Sequence, residues 1–149
     1  MGKIDFMLSL PVSPEQLLLL SEDYENLPNF LPDQLKSVKI IEKKENETTT
    51  EEVIVLKTIL TKEITQQALH KKIGHNMLET EILSGPAKGS IIHVTFEKVD
   101  SGTKVRIDME LHLGLKAKIL EPIIKKWYKI VLTAILYKMN TKILQSNSS

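Results

Sequence analysis

"EPIIKKWYKIVLTAILYKMN", residues 121–140, is apolar and helical in pattern, and it closes a chain that otherwise reads as strands. Lysines at 125, 126, 129 and 138 interrupt it, so it is a poor membrane span. On a wheel of about 100° per residue, Leu120, Ile123, Ile124, Ile130, Val131 and Ala134 fall within about 60° of Trp127. Lys125, Lys126 and Lys129 lie about 100° or more away. From Pro122 to Leu144 such a helix runs roughly 35 Å, enough to cross a whole sheet. A second stripe, Leu132, Leu136, Met139 and Ile143, lies about 120–180° from Trp127 and is expected to point away from whatever Trp127 meets.

Upstream, "GSIIHVTFEKVDSGTKVRIDMELHLG" (89–114) is the clearest hairpin. Ile92, Val94 and Phe96 alternate with His93, Thr95 and Glu97. Val105, Ile107, Met109, Leu111 and Leu113 alternate with Arg106, Asp108, Glu110 and His112. A loop from Asp100 to Thr103 would set Phe96 opposite Ile107 and Val94 opposite Met109. It would also pair Glu97 with Arg106 and His93 with Glu110. One apolar face and one charged face describe an antiparallel sheet with one wet side.

"KIDFMLSL" (3–10) alternates in the same way and ends at Pro11. "SPEQLLLLSEDY" (13–24) starts a helix over 14–22, with Ser13 as N-cap and Pro14 in the first turn. "DYENLPNFLPDQ" (23–34) is limited to short helical turns, over 24–31, by Pro28 and Pro32. Residues 35–48 and 48–60 read as two strands, and 62–73 and 76–83 as another pair around Gly74. The expected fold class is α+β. A seven-stranded antiparallel sheet wraps around the long C-terminal helix, with two short helices between strands 1 and 2. Residues 1–144 form a single domain, and 145–149 ("QSNSS") a disordered polar tail.

Composition narrows the function. The 149 residues hold no cysteine, so disulfides and thiolate chemistry are excluded. Residues 114–149 carry seven lysines and one glutamate, a charge of +6, against 13 basic and 18 acidic residues elsewhere, a charge of −5. Arg106 is the single arginine, and aromatics are 5% of the chain, which argues against nucleic acid as a partner. The N-terminus lacks a signal-peptide pattern, so a cytoplasmic protein is the default.

A straight helix gripped by a curved sheet diverges from it at one end and leaves an apolar space. With seven aromatic residues available as filler, that space is a candidate ligand cavity. Its expected lining, from the inward parity of the strands and the stripe around Trp127, is Phe6, Leu8, Phe30, Leu31, Ile92, Val94, Met109, Leu111, Ile123, Trp127 and Ile130. Thr58, Thr80 and Tyr24 add hydroxyls. His70, His75, His93 and His112 read as solvated, without zinc spacing. No catalytic residue, metal or cofactor is expected; an acid or histidine deep in the cavity, with His70 and Glu81 the positions to inspect, would reverse the expectation about catalysis.

The order of elements resembles the START-like superfamily, the helix-grip proteins, and within it the polyketide cyclase/dehydrase and Coq10-like branch. "DYENLPNFLP" supplies that branch's Asp23, Tyr24, Pro28, Phe30, Leu31 and Pro32. Gly85, Pro86 and Gly89 resemble its turn before the sixth strand, and "GTKVRIDMELHL" its seventh. The resemblance implies a hydrophobic ligand such as a lipid, quinone or polyketide. It implies a non-enzymatic binder or carrier first, with a cyclase/dehydratase-type enzyme and a protein-interaction module as alternatives. The second stripe of the helix is either covered by the two short helices, 14–22 and 24–31, through Leu17, Leu18, Leu19 and Leu20, or offers a candidate homodimer or peripheral membrane contact, with Lys125, Lys129, Lys138 and Lys142 beside it.

Overall fold

The computed structural model describes residues 2–57 and 60–148. Thr58 lies outside them. The elements run β1 (Gly2–Leu10), α1 (Pro14–Glu22), a 3-10 turn (Tyr24–Asn29), β2 (Leu35–Lys43), β3 (Glu47–Lys57), β4 (Thr61–Ile73), β5 (Met77–Ile82), β6 (Ile91–Val99), β7 (Gly102–Leu111), a second 3-10 turn (Lys118–Leu120) and α2 (Glu121–Asn147). All neighbouring strands are antiparallel, in the order β1-β7-β6-β5-β4-β3-β2. The first strand therefore pairs with the last, and α1 and the first 3-10 turn carry the chain across to the opposite edge. This is the helix-grip arrangement.

Local chemistry sets the boundaries. The Ser13 hydroxyl accepts from the Gln16 amide at 3.2 Å, capping α1 behind Pro14. The tail read as disordered from residue 145 is instead helical through Asn147, where the Gln16 side-chain amide donates to Asn147 Oδ1 at 3.1 Å.

The β6–β7 register differs from expectation by two residues. Val99 pairs with Gly102, leaving Asp100–Ser101 as a two-residue turn, so Phe96 faces Val105 and Val94 faces Ile107. Glu97 faces Lys104 and His93 faces Asp108. Both strands alternate charge with period two, so two registers give opposite-charge pairs and charge does not choose between them. The turn does: Gly102 takes φ +147°, and its backbone packs against Leu10 and Pro11, where a Cβ would run into the Leu10 carbonyl oxygen. A shift of two preserves parity, so Ile92, Phe96, Val105, Ile107, Met109 and Leu111 still face the core.

The larger correction concerns α2. Its buried residues are Ile124, Tyr128, Val131, Ile135, Leu136, Met139 and Ile143, while Ile123 and Ile130 are exposed. The arc that faces the sheet is centred about 100° from Trp127 on the wheel, and Trp127 flanks it. The stripe expected to point outward is therefore interior, so it is not a dimer or membrane face. The helix is apolar over more than half its circumference, and wheel geometry alone cannot rank two overlapping stripes. Cover decides. α1 packs against α2, with the Ser21 hydroxyl 3.6 Å from Met139 Sδ, which buries the second stripe and turns Ile123 and Ile130 out.

Candidate functional site

α2 packs on β1 and stands away from the middle of the sheet, leaving a cavity of about 170 Å³. Its floor is Leu35 of β2, Glu52 and Ile54 of β3, Gln66 and His70 of β4, Leu78, Thr80 and Ile82 of β5, and Ile92, Val94 and Phe96 of β6. α2 roofs it with Trp127, Tyr128, Val131, Leu132, Ile135, Leu136 and Met139, and Ser21, Tyr24 and Leu27 close the side. Of the expected lining, Ile92, Val94 and Trp127 are present. Phe6, Leu8, Met109 and Leu111 lie on β1 and β7, where the helix sits down on the sheet, and Phe30 and Leu31 follow the first 3-10 turn. None of these six lines the cavity. Ile123 and Ile130 are on the far side of α2. The expected divergence of helix and sheet thus occurs, but over β3–β6.

Thr80 and Tyr24 line the cavity as expected, whereas Glu52, Gln66 and His70 are polar residues that the sequence reading left outside it. His70, read as solvated, is 7% exposed. Its Nδ1 lies 2.8 Å from Thr80 Oγ1 and its Nε2 2.9 Å from Thr50 Oγ1 and 3.4 Å from Glu52 Oε2. Thr50 donates its proton to Glu52 Oε2 at 3.2 Å, so it must accept from His70 Nε2–H. In the neutral imidazole, Nδ1 then accepts from the Thr80 hydroxyl. The Gln66 amide donates to Glu52 Oε1 at 3.1 Å. Tyr24 stacks on the imidazole, ring centroids 4.3 Å apart and 21° from parallel.

Burial works to raise the Glu52 carboxyl, but the hydrogen bond and charge of His70, with Gln66 and Thr50, outweigh it and hold it below the usual carboxylate value. Glu52 is therefore ionised. The Tyr24 phenol is pushed up by burial, then by the carboxylates of Glu22 and Glu52. The Tyr128 phenol is also raised, by burial and then by Glu52, with Gln66 acting in the opposite sense. Both remain hydroxyls near neutral pH. Among the described residues the Tyr128 hydroxyl, buried at the cavity wall, makes no well-formed hydrogen bond, although the Gln66 side chain is near enough to act on its phenol. Trp127 is anchored beside it, its Nε1–H donating to the Val55 carbonyl at 3.0 Å.

One sequence signal pointed to His70. In a hairpin closed at Gly74, Ile73 pairs with Met77 and His70 falls opposite Thr80, an inward residue. Glu52 and Gln66 gave no such signal, because β3 and β4 carry polar residues on both faces. Among the described residues, no group of three or more His, Asp or Glu side chains could hold a metal, and no helix is long and apolar enough to cross a membrane.

A seven-stranded sheet gripping one long helix over an internal cavity defines a START-like protein. The chain matches the family of "polyketide cyclase / dehydrase and lipid transport" proteins over residues 10–139, and it belongs to that family. Solved structures agree on the fold. TTHA0849 from Thermus thermophilus superposes with a TM-score of 0.81 at 16% identity, covering 97% of this chain and 99% of that one. The Zhui aromatase/cyclase from Streptomyces sp. R1128 gives 0.80 at 10% identity, covering 95% of each chain. A START superfamily protein from Mycobacterium smegmatis gives 0.77 at 13% identity, covering 96% and 97%. Among curated proteins, no sequence matches the chain.

Proposed function

We propose that this protein binds a compact, largely apolar molecule carrying a carbonyl in the α2–sheet cavity, and that His70 and Glu52 move a proton on it, as cyclisation or dehydration requires. The observation that carries this reading is the Glu52 carboxyl 3.4 Å from the buried His70 imidazole at the wall of a mostly apolar cavity. Such a pair costs desolvation that a pure storage pocket has no need of, and perturbed buried groups in a cleft mark functional sites. Size supports a small ligand: about 170 Å³ is near the ~150 Å³ cavity that accepts one benzene ring.

The chemistry follows from the hydrogen-bond order. A proton leaving carbon beside the carbonyl passes to the Thr80 oxygen as the Thr80 proton passes to His70 Nδ1. The imidazolium formed is stabilised by Glu52 through Nε2–H. The Tyr128 O–H donates to the carbonyl oxygen as it gains negative charge. In a dehydration the same proton returns to the departing hydroxyl, and water is the second product.

The carrier reading is favoured by a different observation: outside the polar cluster and Ser21, the lining is aliphatic and aromatic. A lipid fragment or quinone ring would then only be oriented by the cluster. A protein-interaction module would have no use for the cavity.

Trp127 is the chain's one tryptophan and lines the site, so its fluorescence reports binding directly. Acetophenone should quench it, and Val94→Phe, which fills the cavity, should abolish the effect. Exchange of the acetophenone methyl protons for deuterium, followed by NMR, tests the chemistry. Glu52→Gln should slow it by about 10²-fold or more while binding survives. Binding without exchange leaves the carrier reading; failure of both binding and exchange overturns the site.

A further inference from the structure

We infer that the outward face of the 114–130 segment docks on an anionic lipid bilayer. Leu115 is 89% exposed and Ile119 84%, the two most exposed large apolar side chains among the described residues. They are not isolated. Residues 114–120 coil with helical hydrogen bonds, Lys118 N–H to Gly114 O at 3.1 Å and Leu120 N–H to Ala117 O at 2.9 Å, and run into α2. Ile123, Lys126 and Ile130 are spaced by three and four residues on the first turns of α2, which places them on one ridge, and Lys116 and Ile119 lie in the coiled segment that leads into it. All five are exposed.

The charge on this face selects the occupant. Of the lysines in the 114–130 segment, Lys116, Lys118 and Lys126 are exposed and make no ion pair among the described residues. Glu121, the one acid of that stretch, is partly buried. The Gly114 amide donates to the Pro86 carbonyl at 3.0 Å, which brings the turn bearing exposed Lys88 alongside. Branched apolar side chains ringed by unpaired lysines match a bilayer surface. The aliphatic groups enter the acyl boundary, and the ammonium groups stay at the lipid phosphates. An apolar protein partner would leave the lysines without a counter-charge. Ile123 and Ile130 bracket Trp127, so the docked face adjoins the cavity roof.

Co-sedimentation with vesicles tests this. The protein should bind phosphatidylglycerol-rich vesicles and not phosphatidylcholine vesicles, and added salt should release it. Lys116→Gln with Lys126→Gln should weaken binding about 25-fold, at about fivefold per lysine. Leu115→Ser with Ile119→Ser should abolish it, with the thermal melt unchanged because both side chains are exposed. Val94→Phe, which fills the cavity, should bind vesicles normally, so the docking surface stands or falls apart from the ligand site. Equal binding to both vesicle types, no binding, or insensitivity to these substitutions overturns the inference. So does a dimer in solution that Leu115→Ser and Ile119→Ser dissociate in the absence of vesicle binding.

Discussion

Replacing Tyr128 with Phe removes one oxygen and leaves the ring. That ring sits edge-on to Trp127, centroids 5.0 Å apart, and is buried, so the substitution opens no apolar void. Among the described residues the hydroxyl it deletes makes no well-formed hydrogen bond, with Gln66 the side chain that acts on it. A buried polar group left unsatisfied costs about 1–3 kcal/mol of desolvation, so deletion should stabilise the unliganded protein by an amount of that order. Taking about 1 kcal/mol, the melting temperature should rise by about 2–4 °C for a chain of this length. Ligand affinity should move the other way. Losing one hydrogen bond worth about 0.5–1.5 kcal/mol weakens binding roughly twofold to tenfold. The pair of measurements is a thermal melt without ligand and a Trp127 fluorescence titration with acetophenone. A gain in stability together with a loss of affinity is the signature of a group held ready for a ligand. A Tyr128→Phe protein that melts lower by about 2 °C or more, roughly 1 kcal/mol, would refute the reasoning, because the hydroxyl would then already have a partner.

Glu52 makes stability depend on pH. Its carboxyl is held below the ordinary 4.5, so its contribution is present above that value and is lost as pH falls through the lower folded value. The melting difference between the wild type and Glu52→Gln should be largest above pH 4.5 and shrink in acid; a difference that widens on acidification contradicts the ionised pair. Leu136 is 5% exposed, so Leu136→Glu should cost at least about 3 kcal/mol in urea unfolding, whereas an unchanged midpoint would mean that α2 is rotated the other way. Gly102→Ala should cost about 2 kcal/mol or more, since φ is +147° and the added Cβ would meet backbone of Leu10 and Pro11. A near-neutral effect would show that the two-residue turn at Asp100–Ser101 is not required.

The sequence by itself determined the elements, their order and the inward parity of β1, β6 and β7. Those rest on local physics: period-two alternation, the Ser13 cap, proline and glycine punctuation, and a C-terminal run too apolar to stay in water. It also carried the family likeness and the expectation that helix and sheet separate at one end. Three things it left to the tertiary structure. The rotation of α2 depended on α1, because an apolar arc wider than one face buries whichever part finds cover. The β6–β7 register depended on the close approach of Gly102 to Leu10 and Pro11, since alternating charges satisfy two registers. The polar cluster depended on three strands meeting. Thr50 and Glu52 of β3, Gln66 and His70 of β4 and Thr80 of β5 look like surface residues one strand at a time. Their side chains are buried or half-buried at low cost only because each satisfies another, and that mutual satisfaction exists only once the sheet has formed.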